Sequence, residues 1–148
     1  MITRQVFSKI AAICAVLFVV TGCGPGWTDG DTDSVGLMKI EVPKSATNVV
    51  GLIDPYRVNF FIPNNEWRGY LAQYKLTPEL SKLKYVSEYE APAECISSYR
   101  AKGNLEHWTA GGNIKWRDTD QEVYRFVSVN PDCEPGKALV RWRLDMKQ

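Results

Sequence analysis

The stretch "ALVRWRLDM", residues 138–146, sets Ala138, Val140, Trp142, Leu144 and Met146 at alternate positions, with Arg141, Arg143 and Asp145 between them. A period of two is the signature of an extended chain with one face on a core. Antiparallel sheets with one solvated face are the usual setting for that pattern. The chain is therefore expected to build a sheet that reads apolar inward and basic outward at this strand.

Other segments extend the sheet. "GLMKIEV" (36–42) and "TNVVGLI" (47–53) read as strands that stop at Pro43 and at Asp54-Pro55. In "YRVNFFI" (56–62), Tyr56, Val58, Phe60 and Ile62 share one face, and Arg57, Asn59 and Phe61 share the other. "NIKWRD" (113–118) alternates Ile114 and Trp116 with Lys115 and Arg117. "EVYRFVSV" (122–129) is apolar on both faces apart from Arg125, as suits a central strand, and "PDCEPG" (131–136) reads as a turn.

Three short helices are expected between these strands. Trp67, Tyr70, Leu71 and Tyr74 fall at i, i+3, i+4 and i+7, one face of a helix over about 65–75, with an Asn cap from the Pro63-Asn64-Asn65 break. Their simplest use is packing on the sheet, ahead of an exposed aromatic stripe for a glycan or partner. Thr77-Pro78-Glu79 reads as a second helix start. A third is expected over Pro92–Lys102, with Glu94 in its first turn, Arg100 and Lys102 in its last, and Gly103 beyond it. The fold class is thus α+β: an antiparallel sheet of about five or six strands with two or three short helices packed on one face.

The N-terminus is built differently. Arg4 and Lys9 are the only charges before residue 29, and every residue from Ile10 to Val20 is apolar. That run falls short of the roughly 20 apolar residues of a span. A basic start, a short apolar stretch and small residues are the layout of a secretory signal. Val20-Thr21-Gly22-Cys23 resembles the lipobox of bacterial lipoproteins. The resemblance implies cleavage before Cys23 and a diacylglyceryl group on its sulfur, with palmitate-type acyl chains holding the protein to a membrane. It divides the chain into a signal peptide (1–22), a lipidated Cys23 with a flexible tether (23–34), and one globular domain (35–148). Gly24, where an Asp would retain an enterobacterial lipoprotein at the inner membrane, points to the outer membrane. The domain would face the periplasm or the cell exterior. The string from Pro43 to Tyr74 also resembles small uncharacterised bacterial lipoproteins, which implies a fold and no catalytic residues.

The same resemblance organises the cysteines. Cys14 would leave with the signal and Cys23 would carry lipid, so Cys95 and Cys133 remain, and in an oxidising compartment they are expected to pair. No C-x-x-C is present and His107 is the only histidine, so a Cys/His zinc site lacks ligands. Asp29-x-Asp31-x-Asp33 resembles the opening of a calcium loop, but Ser34 stands where the turn needs Gly and Ile40 where the bidentate Glu belongs. No metal or cofactor is expected.

Chemistry-bearing patterns are sparse. A triad would need His107 as base, Ser97 or Ser98 as nucleophile and Asp118 as orienter, without a Gly-x-Ser-x-Gly elbow. Glu88, Glu90 and Glu94 could supply paired carboxylates, or simply a solvated acidic segment. "TAGGN" (109–113) lacks the Lys and helix of a phosphate loop. The basic residues Lys115, Arg117, Arg141 and Arg143 are expected on the outer sheet face, with Trp116 and Trp142 behind them, where they would meet an anion or an acidic partner. Cross-strand ion pairing is the plainer account of them. With a formal net charge of +1 and an extracytoplasmic address, nucleic acid is not an expected partner. The sequence-based expectation is a non-enzymatic, membrane-anchored protein presenting an interaction surface to an envelope protein. A module for an anionic polymer or lipid head group comes second, and a hydrolase third.

Overall fold

The computed structural model describes residues 29–81, 85 and 90–146, with side chains from Asp33 onward. The expected signal peptide (1–22), Cys14, Cys23, Gly24 and Glu88 lie outside the described residues. The elements are α1 (Asp29–Leu37), β1 (Thr47–Ile53), β2 (Tyr56–Pro63), α2 (Trp67–Ala72), β3 (Glu79–Leu80), a 3-10 turn (Ala93–Cys95), α3 (Ile96–Lys102), β4 (Trp108–Lys115), β5 (Glu122–Glu134) and β6 (Lys137–Asp145). The strands form one six-stranded antiparallel sheet in the order β1-β2-β6-β5-β4-β3. This is the α+β class expected from the sequence.

Strand β6 sits near the centre, paired with β2 on one side and β5 on the other. That placement explains its alternation. Ala138, Val140, Trp142 and Leu144 join the main core with Val58, Phe60 and Ile62 of β2 and Val123, Val127 and Val129 of β5. Trp67, Tyr70 and Leu71 of α2 close this core, as the helical spacing predicts. The indole Nε1–H of Trp142 donates to Tyr70 Oη at 3.1 Å, and the Tyr70 hydroxyl donates to the Glu41 carbonyl at 2.9 Å. Truncating a buried Trp of this kind to Ala costs about 3–5 kcal/mol.

The helices divide between the two faces rather than sharing one. Phe61 and Leu139 point away from Phe60 and Val140, and they pack with Ala91, Cys95, Leu105 and Cys133 beneath the 3-10 turn and α3. A disulfide joins Cys95 to Cys133, with their Cα atoms 4.5 Å apart. Strand β5 runs on through the expected turn. Its register shifts between Asn130 and Glu134, and only Pro135-Gly136 remains as the link to β6, with Gly136 at φ 75°. Asn64 pins this irregular stretch. Its amide donates to the Asp132 carboxylate and its oxygen accepts the Asp132 N–H at 3.0 Å.

Four local expectations fail. Residues 36–42 form no strand; α1 covers 29–37 and the chain then runs irregularly to Val42. Residues 29–34, read as tether, are helical, and Ser34 is fully buried with its hydroxyl donating to the Leu52 carbonyl at 2.6 Å. Glu79 and Leu80, read as a helix start, pair with Thr109 and Trp108 as the edge strand β3. Glu66, not an Asn, occupies the cap position of α2 and makes no side-chain capping bond. Arg125 accounts for part of the α1 result. It lies on the core face of β5 and its guanidinium donates to the Met38 and Lys39 carbonyls, both at 2.9 Å. A buried cation thus satisfies carbonyls just past the end of α1 and draws Met38 and Ile40 into the core. Burial holds that guanidinium below its usual pKa.

Candidate functional site

The sheet face opposite α2 carries the polar residues. The cross-strand row Arg57–Arg143–Phe126–Gly111 runs from β2 to β4, and the next row is Asn59–Arg141–Ser128–Thr109. Arg57, Arg143 and Phe126 of the first row and Arg141, Ser128 and Thr109 of the second line a groove of about 510 Å³, to which His107 and Ser81 add from its β3–β4 side. Toward Phe61 and Leu139 the same face is filled by α3 and the disulfide, so the groove is what the helix leaves uncovered.

Its electrostatics are unbalanced. Arg57 and Arg143 are direct cross-strand partners, and like charges in that relation repel. Neither makes an ion pair with any described carboxylate. Arg143 lies over the Phe126 ring at 4.5 Å, a cation–π contact. Arg141 is neutralised by Glu94 at 2.6 Å, an ion pair reaching from the 3-10 turn to β6. Three buried polar atoms on these rows lack hydrogen-bond partners: Arg57 Nε, Arg141 Nε and Asn59 Oδ1. Buried polar groups are rarely left unpaired, because each costs about 1–3 kcal/mol.

His107 is held by a polar cluster at the other end of the groove. Its Nδ1 lies 2.9 Å from Tyr85 Oη and 3.3 Å from Asn130 Nδ2. Asn130 Nδ2 also donates to the Glu106 carbonyl at 2.9 Å and to Tyr85 Oη at 3.2 Å. The network is satisfied when Nδ1 accepts from Tyr85 and the ring proton sits on Nε2. Burial lowers the pKa of His107, with Arg141 adding to the effect and the Asn130 hydrogen bond opposing it. The imidazole is therefore neutral at pH 7. Burial also raises the Tyr85 phenol above its usual range, while the Asn130 hydrogen bond and Arg141 oppose that shift.

The basic quartet expected from the sequence comes together only in part. Arg141 and Arg143 line the groove. Lys115 is exposed near the β4–β5 turn and pairs with Asp120 at 3.2 Å. Arg117 leaves the sheet altogether. It has φ 51°, stacks on its neighbour Trp116 at 5.0 Å, and lines a separate depression with Asp33, Ile53 and Tyr56. Arg57 takes the place that Arg117 was expected to fill. Its outward position was readable from the alternation of β2, but its pairing with Arg143 was not.

The other constellations do not assemble. His107 and Asp118 flank opposite ends of the eight-residue β4, about 25 Å apart along the strand. Ser97 and Ser98 lie on α3 and make no hydrogen bond to His107. Glu94 is engaged with Arg141. Among the described residues no group of His, Cys, Asp and Glu is arranged to hold a metal, and no helix is long and apolar enough to cross a membrane.

No protein family, curated protein or solved structure matches this chain.

Proposed function

We propose that the chain is a lipid-anchored, extracytoplasmic binding module whose groove takes an anionic group between Arg57 and Arg143. The observation carrying this reading is the uncompensated arginine pair. Arg57 and Arg143 are direct cross-strand partners and neither is ion-paired, with Asp145 lining a shallow depression beside both of them. An anion would screen the repulsion and accept hydrogen bonds from the planar guanidinium forks. The lipobox-like Val20–Cys23 supports the anchor, and the Cys95–Cys133 disulfide fits an oxidising compartment. Binding, rather than turnover, suits a groove in which the histidine is fixed by Tyr85 and Asn130.

Calorimetric titration of the detergent-solubilised full chain with inorganic phosphate at low ionic strength tests the site. Saturable binding that weakens with salt and disappears in an Arg57→Met/Arg143→Gln double variant is expected. No binding, or equal binding by the variant, would overturn it. Mass analysis of the N-terminal peptide tests the anchor, which fails if Cys23 carries a free thiol.

One observation favours a second reading, a protein-interaction surface. Strand β1 is a sheet edge, and its Val50 and Ile53 are 51% and 55% exposed. Apolar side chains on an edge strand favour pairing with another chain. In-cell crosslinking that yields the same products from wild type and from Val50→Lys/Ile53→Lys would remove this reading.

A further inference from the structure

We infer that the ligand of the groove is a phosphate monoester of a hydroxylated compound, a sugar or polyol phosphate, with its phosphate between Arg57 and Arg143 and its hydroxyl groups over Ser128 and Thr109. This rests on the anion reading above and narrows it.

Charge selects the head group. Neither guanidinium is ion-paired, and a phosphate monoester carries about −1.5 to −2 at neutral pH, whereas a carboxylate or a phosphodiester carries one charge. Arg141 is already neutralised by Glu94, so it adds no net charge to the site. Arg143 lies over the Phe126 ring, and its planar fork suits a tetrahedral anion.

Shape selects the remainder. The groove, at about 510 Å³, is several times larger than a bare phosphate, and it continues past the arginines. Neighbouring strands are about 4.8 Å apart and two residues along a strand span about 7 Å, so Ser128 on β5 lies roughly 8 Å, and Thr109 on β4 roughly 12 Å, from Arg143 on β6. That is the span of a small phosphorylated sugar. Neither the Ser128 nor the Thr109 hydroxyl makes a hydrogen bond among the described residues. The groove wall beyond them is His107, neutral, with its proton on Nε2 and no charge to attract a second anion. The site is therefore cationic at one end and hydroxyl-lined at the other. Inorganic phosphate would use only the first end.

The ester could be free in solution or displayed as the head group of an envelope lipid, and the test separates these sources. Binding of glucose 6-phosphate, inorganic phosphate and gluconate to the full chain would be compared by calorimetry. Glucose 6-phosphate is expected to bind about tenfold tighter than either, the gain from one or two added hydrogen bonds. A Thr109→Val/Ser128→Ala variant should lose that gain while binding inorganic phosphate as before, which also reports that the variant is folded. Phosphatidylcholine vesicles doped with a phosphorylated glycolipid would then be added. Displacement of glucose 6-phosphate assigns a lipid source and its retention a soluble one, and both uphold the ligand class. Equal affinity for inorganic phosphate and glucose 6-phosphate overturns the polyol assignment and leaves the anion reading standing. Tighter binding of gluconate than of inorganic phosphate overturns the phosphate. Failure of all three to bind overturns both.

Discussion

Replacing Arg57 with Met is expected to stabilise the ligand-free protein, against the usual direction of point substitutions. Arg57 sits directly opposite Arg143, and like charges so placed cost about 0.2–1 kcal/mol. Its Nε is buried without an acceptor, a further cost of about 1–3 kcal/mol that the folded state now bears. Methionine keeps most of the aliphatic stem, so the lost packing is small. Part of the desolvation cost is relieved by relaxation in the wild type, which leaves a net gain of about 1 kcal/mol. For a domain of this size that raises the melting temperature by about 4 °C. The charge component should shrink as salt is added, since exposed charges are screened beyond about 8 Å at physiological ionic strength. Thermal unfolding followed by near-ultraviolet circular dichroism, at low and high salt and with and without phosphate, reads all of this. Phosphate should raise the wild-type midpoint and leave Arg57→Met unmoved. A variant destabilised by more than about 1 kcal/mol, with the phosphate response intact, would refute the view that Arg57 is held in place for a ligand.

Three further outcomes are expected. Removing the disulfide with Cys95→Ala/Cys133→Ala opens a link spanning 38 residues and should cost about 4 kcal/mol in chemical denaturation; a loss below about 1 kcal/mol would mean that the helical cover on that face stands unaided. Glu94→Gln should strengthen phosphate binding several-fold by freeing Arg141 from its carboxylate, whereas weaker binding would show that the pair is needed to shape the groove. His107 has a folded-state pKa depressed below 6.5, so the unfolded chain takes up its proton first as pH falls. Its contribution to stability is complete above pH 6.5 and lost as pH drops below that value toward the folded-state pKa. His107→Gln should flatten this dependence, and an unchanged pH profile would contradict the buried, neutral assignment.

Much of the sheet was legible because alternation is enforced wherever one face is buried. Strand β6 could be read almost residue by residue, and so could β2 and the aromatic face of α2. Pairing order was not legible. It depends on long-range contacts that leave no local trace, and it decides which basic residues meet. Arg143 could have faced either of two neighbours, and β2 brought Arg57 to it. Arg117 was misplaced because β4 ends at Lys115 and Arg117 itself is left-handed, so strand alternation stops two residues short of it. "DGDTDSVGL" reads as a solvated tether on composition, and only the cover it gives β1, with Ser34 bonded to Leu52 and Arg125 bonded to the following carbonyls, makes it a helix. Thr77-Pro78-Glu79 has a helix start, but the free edge of β4 claimed Glu79 and Leu80, an instance of tertiary context overriding local propensity.

The groove's anion site can be tested at single-residue level by following the Nε–H resonances of the arginine side chains while inorganic phosphate is added to the full chain. The signals of Arg57, Arg141 and Arg143 are expected to shift together and saturate, with Arg117 and Arg125 unaffected. Weak, linear shifts shared by every arginine, or none at Arg57 and Arg143, would contradict an anion site on this sheet face.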